Sequence, residues 1–222
     1  MSEALYNILI KGDSWLTILG GLWTTIQISA AALVFGTLLG AAVCFLRISR
    51  STIASTSARI YIAIVRGSPV LMLLMLFYYG IFAGKGLSPT TVAVITFAMH
   101  TAAHVAELMR ASMSALDRGQ VEAARTLGFS KWQAFRLIAL PQLIRIAKPV
   151  YQSTVVNLIQ WTSVVGYVSI TDLTRVINNT ASRTMEPLLT ITIGMLIYLA
   201  LSYAVYGIFA LTDRKGAANE HH

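Results

Sequence analysis

From residue 14 to residue 46 the chain carries no Asp, Glu, Lys or Arg, and the same silence recurs at 67–84, 86–106, 149–171 and 187–212. About 18 uncharged, mostly apolar residues suggest a helix crossing a bilayer, whose hydrocarbon core takes about 20. Each of these windows reaches that length. Among 222 residues, 56% are hydrophobic and only 12% charged, which is too apolar for a soluble domain. The expectation is therefore an all-α membrane protein of five spans, at roughly 17–46, 60–82, 87–109, 149–170 and 187–212, forming one domain over 1–222. The first window is long enough to include an interfacial stretch around Trp15 and Trp23. The second is short, so its span is expected to begin near Ile60 and run past Arg66.

The basic residues set the orientation, because cytoplasmic loops carry the excess of Lys and Arg. Placing Arg47, Arg50, Arg59 and Arg66 on one side leaves only Lys11, Lys85, Arg175 and Arg183, of 17 Lys and Arg, on the other. That puts the amino terminus outside and the carboxyl terminus in the cytoplasm. The net charge of +8 is then accounted for by the membrane, without a nucleic acid. Cys44 is the one cysteine and falls mid-span, which excludes a disulfide framework and a thiolate metal site. The start, Met1-Ser2-Glu3-Ala4-Leu5, lacks the basic n-region of a cleaved signal peptide. His221 and His222 read equally as native residues or as the remnant of a tag.

A polar, basic stretch separates the third and fourth spans. In Gly119-Gln120-Val121-Glu122-Ala123-Ala124-Arg125-Thr126-Leu127-Gly128, Gly128 is placed to end a short helix with a left-handed cap. Ser130 starts the next helix, and Gln133 three residues on completes a capping box. Pro141 is expected to stop or kink that second helix. The result is a helix pair over about 119–140 with Arg125, Lys131 and Arg136 on wet faces. The same pattern resembles a DNA-reading helix-turn-helix; its place on a short loop between spans favours docking of a partner protein.

Three polar groupings interrupt the apolar windows. His100, His104 and Glu107 share a face of the third span, and Glu107 and Arg110 are neighbours at i, i+3. They fit a polar lining or proton relay, a metal site, or plain structure in which Glu107 and Arg110 neutralise one another. Thr101 stands where a metalloprotease helix needs Glu. Arg66-Gly67-Ser68-Pro69 marks either an interfacial helix start, with Ser68 as cap and Pro69 in the first turn, or a broken helix beside a solute site. Asn157, Gln160, Thr162 and Ser163 fit interhelical hydrogen bonds or a polar solute route. Tyr78, Tyr79 and Tyr198 read as packing residues.

With Gln120, Glu122-Ala123-Ala124, Gly128 and Leu140-Pro141 in view, the chain resembles the permease subunit of bacterial ABC importers. More narrowly it resembles the polar amino-acid uptake subfamily, the histidine-, glutamine- and arginine-type permeases. Arg66-Gly67-Ser68-Pro69, Glu107-Leu108-Met109-Arg110, Thr162-Ser163 and Asp172-Leu173-Thr174 resemble further segments of that subfamily, in matching order. His104 and Gln160 depart from it, since Tyr and Lys are usual at those places, and Trp161 is also unusual.

The resemblance implies a type I importer permease fold with a cytoplasmic coupling helix pair between helices 3 and 4. It implies a second permease subunit, identical or related, two cytoplasmic ATPases that bind ATP and Mg, and a periplasmic amino-acid-binding protein. Gly119, Gln120, Glu122, Ala123, Ala124, Gly128 and Pro141 would couple to the ATPase. Arg66, Ser68, Pro69, His104, Glu107, Arg110, Asn157, Gln160, Thr162 and Ser163 are the candidates for lining the substrate pathway. No Gly-x-x-x-x-Gly-Lys-Ser/Thr loop is present, so the chain is expected to hold no cofactor and not to be an enzyme by itself. Two rivals from other classes are a self-sufficient proton-coupled transporter using His100, His104 and Glu107, and a membrane metalloenzyme.

Overall fold

The computed structural model describes residues 2–11 and 13–219, and all its regular structure there is helical. His221 and His222 lie outside the described residues. The chain runs α1 (Ser2–Leu9), α2 (Ser14–Arg47), α3 (Thr52–Gly67), α4 (Val70–Met75) continued by a π turn (Leu76–Ile81), and α5 (Pro89–Ala115). It continues with α6 (Arg118–Thr126), α7 (Lys131–Ala134), a π turn (Phe135–Ala139), α8 (Leu140–Trp161), a 3-10 segment (Thr162–Val168), α9 (Leu173–Thr184) and α10 (Pro187–Asn219).

Three helices are long and apolar enough to cross a membrane by themselves: Ser14–Arg47, Pro89–Ala115 and Pro187–Thr212. A fourth crossing exists if Thr52–Gly67 and Val70–Ile81 count as one broken span. The expected span at 149–170 is not one regular helix. α8 carries Arg145 and Lys148 in its first half, and its α-helical part ends at Trp161, where the 3-10 segment takes over. A tighter 3-10 stretch of this kind inside a span often marks a hinge. α1 was hidden from the charge pattern; it is a short amphipathic helix whose Ile8 is fully buried.

The chain groups into two compact units, Met1–Val34, Ser68–Ala98 and Val155–His222 in the first, Phe35–Gly67 and Met99–Thr154 in the second. In the first unit, Ile28, Ala32, Leu74, Phe97, Leu158 and Val165 make one core, and Ile18, Leu173, Val176 and Ile177 another. Gly21 of α2 lets α9 approach, since a Cβ there would meet the Asp172 carbonyl oxygen at 2.9 Å. Asp172 caps α9, accepting from the N–H of Thr174 (3.1 Å) and of Arg175 (3.0 Å). In the second unit Val43, Cys44, Ala58, Ile62 and Ala106 pack together. Gly40 of α2 lies against α5, where a Cβ would stand 2.7 Å from that of Val105. Small residues at such crossings are how membrane helices come close enough to gain dispersion contacts.

Candidate functional site

The polar connector is held by local bonds that its sequence dictates. Asp117 caps α6 by accepting from the Gly119 N–H at 2.9 Å. Gly128 has φ +94°, a left-handed turn in which its N–H reaches the Arg125 carbonyl (3.1 Å) while the Phe129 N–H reaches that of Ala124 (3.2 Å). This is a Schellman cap. Ser130 and Gln133 form the reciprocal capping box, at 3.2 and 2.8 Å. The Arg125 guanidinium donates to the Phe129 carbonyl (2.6 Å) and Gln142 donates to Gln120 (2.8 Å), closing the turn from both sides.

Of the two outcomes expected of Pro141, a stop or a kink, the stop does not occur. The chain passes from α7 through the π turn into α8, with Pro141 as the second residue of α8. Pro removes one N–H from the helical ladder; the π turn, in which the Leu140 N–H bonds the Phe135 carbonyl, absorbs that irregularity. The second member of the helix pair is therefore the start of a long helix, not a separate short one.

Ala124 is buried, while Glu122 and Ala123 face outward with two large apolar side chains, Leu127 at 80% and Trp132 at 65% exposure. Trp132 stacks on Phe135 with ring centroids 5.8 Å apart. Sequence reasoning named the alanines and Gly128 but missed Asp117, Leu127 and Trp132. The signal for Asp117 was present, as an acidic residue directly before a helix.

On α5, His100 is buried and His104 half-buried, their rings 4.9 Å apart between centroids. Glu107 and Arg110 form a forked ion pair, Nη2 to Oε1 at 2.6 Å and Nε to both carboxylate oxygens at 3.0 and 3.1 Å. Each neutralises the other, as their spacing foretold. Arg66 lies in the last turn of α3 and is exposed, and the helix breaks after Gly67. Pro69, not Ser68, occupies the N-cap of α4, with ψ 130°, and no side chain caps it. The proline ring holds φ near −59° there, a value the following helix can continue from.

The polar residues of the fourth window separate. Gln160 and Ser163 open onto a groove of about 600 Å³ in the first unit, shared with Thr174 and Asn178 of α9 and Tyr198 and Ser202 of α10. Thr162 is fully buried and its hydroxyl donates to the Ile159 carbonyl at 2.7 Å, and Asn157 is exposed outside the groove. The Thr162 hydroxyl is thus spent on its own helix. Tyr198, expected only to pack, shares a 2.9 Å hydrogen bond with the Thr174 hydroxyl at the groove wall.

Known proteins share this all-helical body. The sequence profile of binding-protein-dependent transport system inner membrane components matches residues 32–215. The chain belongs to that family. It is a multi-pass inner-membrane transport component. Among its relatives, the probable amino-acid ABC transporter permease protein YckA of Bacillus subtilis (strain 168) is 32% identical over 90% of this chain and 88% of its own length. The glutamate/aspartate import permease protein GltK of Escherichia coli O6:H1 is 30% identical over 90% of this chain and 93% of its own. A crystal structure of an amino acid ABC transporter with histidines superposes with TM-score 0.81 at 28% identity, covering 90% of this chain and 94% of the other. The MetNI methionine ABC transporter, at 16% identity and TM-score 0.73, shares the fold.

Proposed function

We propose that this chain is the transmembrane subunit of an ATP-driven importer of a polar amino acid. It works as one permease domain over 1–222 whose five crossings include the broken pair α3–α4 and the α8 segment, with the amino terminus outside and the carboxyl terminus in the cytoplasm. A periplasmic binding protein delivers the solute. Two cytoplasmic ATPases, which hold ATP and Mg, grip α6 and α7 of this chain and of a second permease subunit, identical or related. Closure of the ATPases is passed on as rigid-body rocking.

The observation that carries this reading is the connector. Leu127 and Trp132 stand exposed on a doubly capped, hydrogen-bonded turn, and large apolar side chains held rigidly in water are what a partner's groove takes up. Gly119, Gln120, Glu122, Ala123, Ala124, Gly128 and Pro141 shape that surface. Arg66, Ser68, Pro69, His104, Glu107, Arg110, Gln160 and Ser163 line the route, the last two in the groove. The rival, a proton-driven transporter built on His100, His104 and Glu107, gains no support from relatives named as ABC permeases.

Reconstitution with the ATPases and binding protein in proteoliposomes tests this. Uptake of labelled amino acid is expected with internal ATP and absent with a pH gradient alone. Gly128→Asp is expected to abolish uptake at normal expression. Uptake by the chain alone on a pH gradient, or normal uptake by the variant, overturns the coupling role.

A further inference from the structure

The second unit holds an apolar recess of its own, of about 250 Å³. Three helices line it, each with one face: Ala41 and Phe45 of α2, Met109 and Met113 of α5, Ile144 and Ala147 of α8. Residues three or four apart on a helix stand above one another, so each pair presents a stripe to the recess. Ala41 and Ala147 are short, and the longer side chains frame the space they leave. The one hydroxyl in the wall, that of Ser112, is spent on the Leu108 carbonyl at 3.0 Å. A polar solute would leave its hydration behind and find almost no partner there. Phe45 and Ile144 are exposed, so the recess opens to the surroundings of the molecule, which for an inner-membrane component include lipid.

The edge of the recess adds charge. Arg47 lies in the last turn of α2, three residues beyond the wall residue Cys44, and its charge reaches that thiol. It is half-buried and makes no ion pair among the described residues. Glu107, whose charge also reaches Cys44, is committed to Arg110 by the forked pair. Arg136 directly follows Phe135, another wall residue. Within 35–67 and 99–154, eleven Lys and Arg stand against three Asp and Glu. A hydrocarbon interior with a cationic edge suits an amphiphile that has an apolar tail and an anionic head. Basic pockets between membrane helices are where anionic lipid headgroups bind. A second copy of this chain, docked face to face, would instead set the same cations against each other.

We propose that this recess binds an acyl chain of an anionic phospholipid whose phosphate lies against Arg47. Phe135 and Leu140 are also in its wall, so a bound chain packs against the turn that joins the connector to α8. The site needs only that the chain lies in a membrane; which leaflet supplies the lipid follows from the orientation proposed above.

The permease–ATPase complex in nanodiscs of equal parts phosphatidylglycerol and phosphatidylcholine tests it. One of the two lipids carries a diazirine in its acyl chain, and crosslinked peptides are mapped by mass spectrometry. The phosphatidylglycerol probe is expected to label peptides holding Phe45, Met109 or Ile144 at least about fivefold more than the phosphatidylcholine probe. Ala147→Trp, which fills the recess, is expected to abolish that labelling and to leave labelling of α10 unchanged, a contrast that a misfolded variant cannot produce. Arg47→Gln is expected to erase most of the preference while the recess still takes up either lipid's chain. Equal labelling by the two probes in the unaltered complex overturns the anionic class. Labelling that survives Ala147→Trp, or that is absent because the second permease subunit covers the recess, overturns the site.

Discussion

Gly40 and Gly20 sit in the same helix and make opposite demands. A Cβ at Gly40 would stand 2.7 Å from that of Val105 and 2.9 Å from the Ala102 carbonyl oxygen, whereas one at Gly20 would meet nothing within 4 Å. Backbone cannot yield as a flexible side chain can, so Gly40→Val forces α2 and α5 apart, an overpacking worth about 1–3 kcal/mol. Thermal unfolding of the detergent-solubilised protein is expected to shift down for Gly40→Val and to stay level or rise for Gly20→Ala, which also gains helix propensity. Equal shifts would remove the close-approach argument. Much at this scale was readable in advance. The capping box at Ser130, the left-handed turn at Gly128 and the Glu107–Arg110 pair all act over three or four residues, so the spacing that reveals them is also the spacing that makes them. Pro69 replacing Ser68 as the cap of α4 was not readable, because either residue satisfies the local pattern.

Elements were legible where one rule governed them and obscure where two competed. The charge-free windows gave α2 almost to its ends and the starts of α5 and α10, which run on past the expected 109 and 212 to Ala115 and Asn219. The fourth window did not, because an apolar run says nothing about whether its helix is α or 3-10, and Thr162–Val168 is the latter. Pro141 left stop and kink both open for a related reason: its cost falls on one hydrogen bond, and the π turn before it takes up that cost without breaking the helix. The groove was the least visible feature. Gln160 and Ser163 could be suspected from their polarity, but Thr174, Asn178 and Tyr198 join them only through the packing of α9 and α10, which no local spacing encodes. The connector yields a prediction at this scale. Leu127→Asp and Trp132→Asp each place a charge on a side chain that is mostly exposed, Trp132 keeping one stacking contact, to Phe135. Both are expected to cut co-purification of the ATPase at least about tenfold, as loss of a central apolar anchor does, while leaving the melting temperature of the permease unchanged. Full retention of the ATPase by both would remove the docking surface.

For the whole molecule, the basic residues make a claim that sequence alone supports and labelling can check. If the amino terminus is outside, Ser130 faces the cytoplasm and Ser88 the exterior. Cys44 is buried and single, so a Cys44→Ala background silences it without disturbing a bridge. In intact cells a membrane-impermeant maleimide is expected to label Ser88→Cys and to spare Ser130→Cys until the membrane is opened. The reverse pattern would invert the topology and with it the site of ATPase docking.

From Lys131 to Trp161 the chain never leaves helical conformation, although it passes through a π turn and over two prolines on the way. Within the second unit the widened turn beside Pro141 keeps Trp132, Phe135 and Leu140 on one unbroken backbone, so a load taken up at Trp132 enters the start of α8 with no loop in between.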